Sequence, residues 1–341
     1  MLCEVCEAIG VTASDFIVHD GEDMLRYGPE HDLGTVADVR SRSPGCALCF
    51  LILDAIEHPA PGGYEYSQCR LSWWQDGFLL GSDSPKTRYM RVDLEPWQDG
   101  FPHNHKIIRL AHQDDDPAGG LFLGRRRAEG QVQTALLRKW IRCCRRWHAH
   151  TCESLLRSGR DKLCQLRVID CWRGCVVHVQ LPCNYLALSY VWGKSKVFTL
   201  RQENQLRLRE PGSLKSRWAD LPATVRDAIR LTSKMGERYL WIDSLCIVQD
   251  DLAEKQSLIP FMDTIYNNAA MTIVAASATT ADSGLPGVGR QQRCPQLVQE
   301  VAPGVVLISQ KSVQDMLEMS HYESRAWTWV YHSVKMPTSK R

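Results

Sequence analysis

Tyr185-Leu-Ala-Leu-Ser-Tyr-Val-Trp-Gly193 decides the fold: it is apolar almost throughout, shows no alternation, and is closed by a glycine. A strand half open to water alternates polar and apolar residues, so this run reads as a strand buried on both faces. Tyr239-Leu-Trp-Ile-Asp243 and Met271-Thr-Ile-Val-Ala-Ala-Ser277 are two more of the kind. Between the first two, a helix begins after Leu221-Pro222, with Thr224-Val-Arg-Asp227 as a capping-box pattern. Val225, Ala228, Ile229, Thr232 and Met235 share one face of it, and Gly236 ends it. Between the second and third, a helix over about 253–268 carries Leu258, Phe261, Met262, Ile265 and Tyr266 on one stripe, with Pro260 as a kink. Strand, helix, strand, helix, strand predicts an α/β fold with an open, mostly parallel sheet and right-handed crossovers.

Working outward, Leu166-Arg-Val-Ile-Asp170 and Cys175-Val-Val-His-Val-Gln-Leu181 read as strands joined by a turn at Trp172-Arg-Gly174. A helix at about 132–150 is predicted from Leu136, Leu137, Trp140, Ile141, Cys144, Trp147 and His148, with Arg138, Lys139, Arg142, Arg145 and Arg146 on its other side. The pattern divides the chain into four parts: a segment at 1–58 with two Cys-x-x-Cys pairs, an irregular α+β region at 59–163, a domain at 164–328, and a basic, disordered tail at 329–341. Within 59–130, short β-like runs at 69–74, 89–94 and 106–110 predict a small antiparallel element with long loops.

The chain has 341 residues, a formal net charge of +2 and 23% charged residues, the composition of a folded domain without the global field that holds a polyanion. No nucleic-acid partner is expected. The N-terminus lacks the basic and apolar regions of a signal peptide, and no apolar run reaches the roughly 20 residues of a membrane span. A cytoplasmic protein without a membrane partner is expected, and its 14 cysteines should then be thiols or metal ligands. Cys3, Cys6, Cys46 and Cys49 have the pairwise spacing of a tetrahedral structural zinc site. His31, Cys144, His148 and Cys152 are alternative ligands, and core thiols are the competing reading.

In an open α/β sheet, ligands bind beyond the carboxyl ends of the strands. Those ends carry Ser189, Tyr190, Trp192 and Gly193 after the first strand, then Asp243, Ser244, Cys246, Gln249 and Asp250 after the second. The motifs Tyr185 to Gly193, Leu221 to Ile229, Tyr239 to Asp251, Met262 to Tyr266, Ala276 to Gly287 and Ser324-Arg-Ala-Trp-Thr328 resemble, in order, the blocks of the fungal heterokaryon incompatibility (HET) domain. The resemblance adds Arg325 and Trp327 to the motif cleft. It implies self/non-self recognition that triggers programmed cell death through a protein partner, and a fold similar to the TIR domain, an open flavodoxin-like parallel sheet. Some TIR domains hydrolyse NAD with a cleft glutamate, so NAD enters as a candidate substrate by fold analogy.

Where the family continues after Arg-Ala-Trp-Thr with a Gln-Glu pair, this chain reads Trp329-Val-Tyr-His-Ser-Val-Lys335. The expectation is a C-terminally truncated or divergent domain, and the alternative function is a non-enzymatic signalling or assembly module. Cys246 as a nucleophile is a further alternative, with His321 and His332 the nearest later bases.

Overall fold

The computed structural model of the protein describes residues 1–18, 27–57, 65–76, 87–95, 105–112, 123–147, 163–193 and 197–310, with 317 and 320. The chain forms two compact units: Met1–Arg127 with Pro295–Met319, and Ala128–Cys294 with Ser320–Arg341.

The first unit is built on β1 (Tyr27–Thr35), β2 (Gln68–Asp76), β3 (Thr87–Glu95), β4 (His105–His112) and the short β5 (Gly124–Arg125). The second contributes β6 (Gln165–Asp170), β7 (Cys175–Gln180), β8 (Tyr185–Ser189), β9 (Tyr239–Ile242) and β10 (Met271–Val274), after which β11 (Val298–Ala302) and β12 (Val305–Gln310) return to the first.

In the first unit the order is β1-β2-β3-β4-β12-β11, antiparallel along the whole path, with β5 added parallel to β4. Short connections make the β2–β3, β3–β4 and β11–β12 pairs antiparallel, and β3 shows the matching two-residue period: Met90, Val92 and Leu94 are buried between partly exposed neighbours. Helix Ala47–Glu57 buries Leu48, Leu51, Ile52 and Ile56 in the same core as Leu71, Met90, Val92, Ile108 and Leu307. Burying each such side chain contributes roughly 1.5–3 kcal/mol. Ser309 on β12 donates to Asp54 Oδ2 of that helix at 2.7 Å.

In the second unit the order is β10-β8-β9-β6-β7. β8 pairs parallel with β9 and with β10, as crossovers require, whereas β6 pairs antiparallel with both β9 and β7. The expected open, mostly parallel sheet of TIR or flavodoxin type is therefore not the fold. The pattern of three crossover-linked strands does not extend to hairpin-linked ones, and β6 and β7, joined by a four-residue turn, bring an antiparallel pair to the β9 edge. Asp170 at that turn is fully buried and accepts from the backbone N–H groups of Trp172 and Arg173, and from Arg238 Nη2 at 2.7 Å.

β8 is buried at all five positions and β9 at three of four, but β10 is an edge strand with Val274 exposed. Pro260 splits the expected helix into Leu252–Leu258 and Met262–Asn267, with a 3-10 turn between. The helix near 140 is Thr134–Trp147; of its predicted stripe Ile141 is buried, while Trp140 and Cys144 are exposed.

The expected capping box at Thr224 does not form. Helix Ala223–Lys234 has Pro222 as its N-cap, and the Thr224 hydroxyl accepts from Gly284 N at 3.0 Å instead. Among the described residues, no helix is long and apolar enough to cross a membrane.

Candidate functional site

Four thiols meet in the first unit. Cys3 is the N-cap of the helical turn Glu4–Glu7 and Cys6 lies within it, while Cys46 and Cys49 flank the start of helix Ala47–Glu57. All four Sγ atoms lie within 4.8 Å of one another, with Cys6 to Cys49 at 3.5 Å and Cys3 to Cys49 at 3.8 Å. A disulfide would need about 2.05 Å, and all four are free thiols. A tetrahedral cation with metal–sulfur bonds of about 2.3 Å places its sulfurs roughly 3.8 Å apart, so the donor set fits such an ion.

The electrostatics agree. The thiol of Cys6 hydrogen-bonds Cys49 and, with Arg42 beside it, holds Cys49 as a thiolate down to about 5 against the opposing effect of burial. The same hydrogen bond, then burial, pushes Cys6 up; burial pushes Cys46 up. Crowded thiols thus hold negative charge on one sulfur, and a cation removes the conflict by drawing protons from the others. Cys49 N donates to Cys46 Sγ at 3.4 Å, a backbone contact that suits a ligated thiolate. His31 lies on β1 outside this group, which is the metal-capable one among the described residues; Cys144 is an exposed residue of another helix, and His148 and Cys152 lie outside the described residues.

In the second unit the strand-end residues interlock. Tyr190 is buried and donates its hydroxyl to Ser244 Oγ at 2.9 Å. Trp192 Nε1 donates to Asp243 Oδ1 at 3.2 Å, and that oxygen also accepts from Ser244 N at 2.7 Å. Gln249 Nε2 donates to the carbonyl oxygens of Asp243 and Ile247, and Asp250 Oδ1 accepts from Gln202 N. Gly193 sits at φ +72°, where an L side chain is strained, and an added Cβ would come within 3.2 Å of Thr280. Ser189, the last residue of β8, is buried, and its carbonyl accepts from Ala275 N.

Cys246 is a packing thiol. Its sulfur accepts from Ile242 N at 3.4 Å, and burial pushes the thiol up to about 12, opposite to the activation a nucleophile needs. Arg167 bridges its carbonyl to Glu254 at 2.5 Å. Arg325, Trp327, His321 and His332 lie outside the described residues.

Beside this latch lies a groove of about 890 Å³, which Trp192 and Gln249 line from the strand-end motifs. The rest of its wall comes from residues 197–217 and helix Leu252–Leu258: Phe198, Arg201, Arg207, Arg217 and Lys255, with Glu203 the one acid among the described residues. None of these five was singled out in the sequence. The available signal was position: Phe198, Arg201, Arg207 and Arg217 follow the carboxyl end of β8, and Lys255 follows that of β9, where the chain leaves the sheet.

The family model described as Heterokaryon incompatibility protein (HET) matches residues 185–330, from β8 through β12 and beyond. "Heterokaryon incompatibility protein 6, OR allele" of Neurospora crassa is 32% identical over 106 residues. That match covers 30% of this chain and 15% of the relative's length. No solved structure matches. Residues 185–330 of the chain are thus similar to the heterokaryon incompatibility (HET) family.

Proposed function

We propose that this protein acts in incompatibility-type self/non-self recognition in the cytoplasm, engaging a protein partner and signalling cell death. One observation carries the reading: the segment that matches the HET family contains the Trp192–Asp243 and Tyr190–Ser244 hydrogen bonds. A family signature spent on internal bonds supports a module whose shape is read by a partner. The NAD-cleaving version rested on a TIR-type sheet, which this unit does not have, so NAD hydrolysis becomes an arm of the test.

The test is inducible expression of the chain in a filamentous fungus, scored for growth arrest. Arrest by the wild type, lost in Asp243→Ala with protein levels maintained, supports the reading; equal arrest by Asp243→Ala overturns the role of the latch. Nicotinamide release from NAD by the purified protein would replace the module by an enzyme.

The metal of the four-cysteine cluster is zinc in this reading. Four thiolates at tetrahedral spacing suit it, and its work is to tie the N-terminal turn to helix Ala47–Glu57, where Ala47 N already donates to Met1 O. About one zinc per chain by elemental analysis is expected, lost in Cys46→Ser/Cys49→Ser. Chelation should remove several kcal/mol from the first unit's stability. A purified protein with no bound metal that also fails to take up zinc ends the assignment.

A further inference from the structure

We infer that the groove beside the strand-end latch is a binding site for a phosphate-bearing ligand with a planar ring, a nucleotide by chemical class. From β8 the chain crosses to β9 on one side, and from β9 it returns past β8 to β10. Right-handed crossovers running in opposite directions send their helices to opposite faces, which opens a crevice at the carboxyl ends of β8 and β9. Trp192 follows β8 and Gln249 follows β9, and both line the groove.

The groove is also cationic. Among the described residues Arg201, Arg207, Arg217 and Lys255 face one acid, Glu203, in a chain whose formal net charge is only +2. Arg217 is already held by Asp220 at 2.8 Å and lies over the Phe198 ring at 5.4 Å, so it is positioned before any ligand arrives. Arg201, Arg207 and Lys255 have no ion-pair partner among the described residues. Concentrated cations at a concave site recognise phosphate oxygens.

Trp192 and Phe198 are half-buried and offer aromatic surface, while Asn204, Ser213 and Gln249 supply polar groups. A volume of about 890 Å³ lies within the span of small-molecule sites. The inference is independent of the incompatibility reading, because it is tested with purified protein and no cellular response.

The experiment is calorimetric titration of the full chain with ADP, inorganic pyrophosphate and adenosine, each at low and high salt. ADP is expected to bind saturably, pyrophosphate about tenfold more weakly, and adenosine not at all. Added salt should weaken ADP binding. Arg201→Gln/Arg207→Gln should weaken ADP at least tenfold; both side chains are exposed, so the fold should survive, and an unchanged thermal melt verifies it. No saturable ADP binding at millimolar concentration overturns the site, as does ADP binding that the double variant leaves intact. Pyrophosphate binding as tight as ADP overturns the ring contact, and single-stranded RNA binding without ADP binding overturns the ligand class.

Discussion

Thr35-Val-Ala-Asp38 in the first unit and Thr224-Val-Arg-Asp227 in the second carry one pattern and use it differently. At the first, Thr35 is the N-cap, and the box closes on itself: Asp38 N donates to Thr35 Oγ1 at 3.2 Å and Thr35 N to Asp38 Oδ2 at 2.8 Å. At the second, Pro222 takes the cap position and Thr224 is already inside the helix. The cap then comes from far along the chain, with Ala223 N donating to Asp282 Oδ1 and Thr224 N to Ala281 O. The hydroxyl and carboxylate that would have capped become clamps on the 281–289 loop: Gly284 N donates to Thr224 Oγ1 and Leu285 N to Asp227 Oδ2, both at 3.0 Å, while Arg230 of the same helix donates to Asp227 at 2.9 Å. A capping pattern states which groups want partners. The residue before it decides whether those partners are local.

The largest effect is expected at Asp227. Asp227→Ala leaves the buried Leu285 N–H without its acceptor and removes the anion beside Arg230, and should cost about 3 kcal/mol by denaturant titration. A loss below about 1 kcal/mol would mean that the clamp is incidental. Next is Gly289→Ala, whose Cβ would fall 2.3 Å from Asp227 Oδ1. Displacing the carboxylate should cost about 2 kcal/mol, and little further loss in an Asp227→Ala background would identify the clash.

Thr35→Ala removes only a local cap and should cost about 1 kcal/mol, read as a shift in the first unit's unfolding transition. The smallest effect is on pH. The Thr35 side chain, and then its backbone N–H, hold the Asp38 carboxyl below its ordinary value. A lowered folded pKa gives stability that is complete above the unfolded value of about 3.9 and lost as pH falls through the folded one. The stability difference between wild type and Asp38→Asn should therefore be full near pH 6 and close toward pH 2.

Local chemistry was legible in the sequence, and long-range arrangement was not. The unbroken apolar runs of β8 and β9 announced two-sided burial, and Pro260 announced the break between the two helices. The Cys-x-x-Cys pairs announced the sulfur cluster because ligand spacing is a short-range property. Sheet order is set by which edge a hairpin meets, and nothing in Leu166 to Leu181 says that β6 lies against β9. The groove cations escaped for a similar reason: Arg201 and Arg207 look like an ordinary solvated run until Trp192 and Lys255 fold in beside them.

The β11–β12 hairpin has a consequence for synthesis. β4 pairs with β12, yet everything that builds the second unit's sheet is translated between them. On the ribosome the first unit must hold an incomplete sheet, with most of one edge of β4 unpaired, while the second unit's sheet acquires all its strands and can close first. Order of completion is then the reverse of order of emergence, and the waiting edge is the place where a chaperone would be needed. An expression boundary drawn between Arg127 and Pro295 would make that temporary edge permanent.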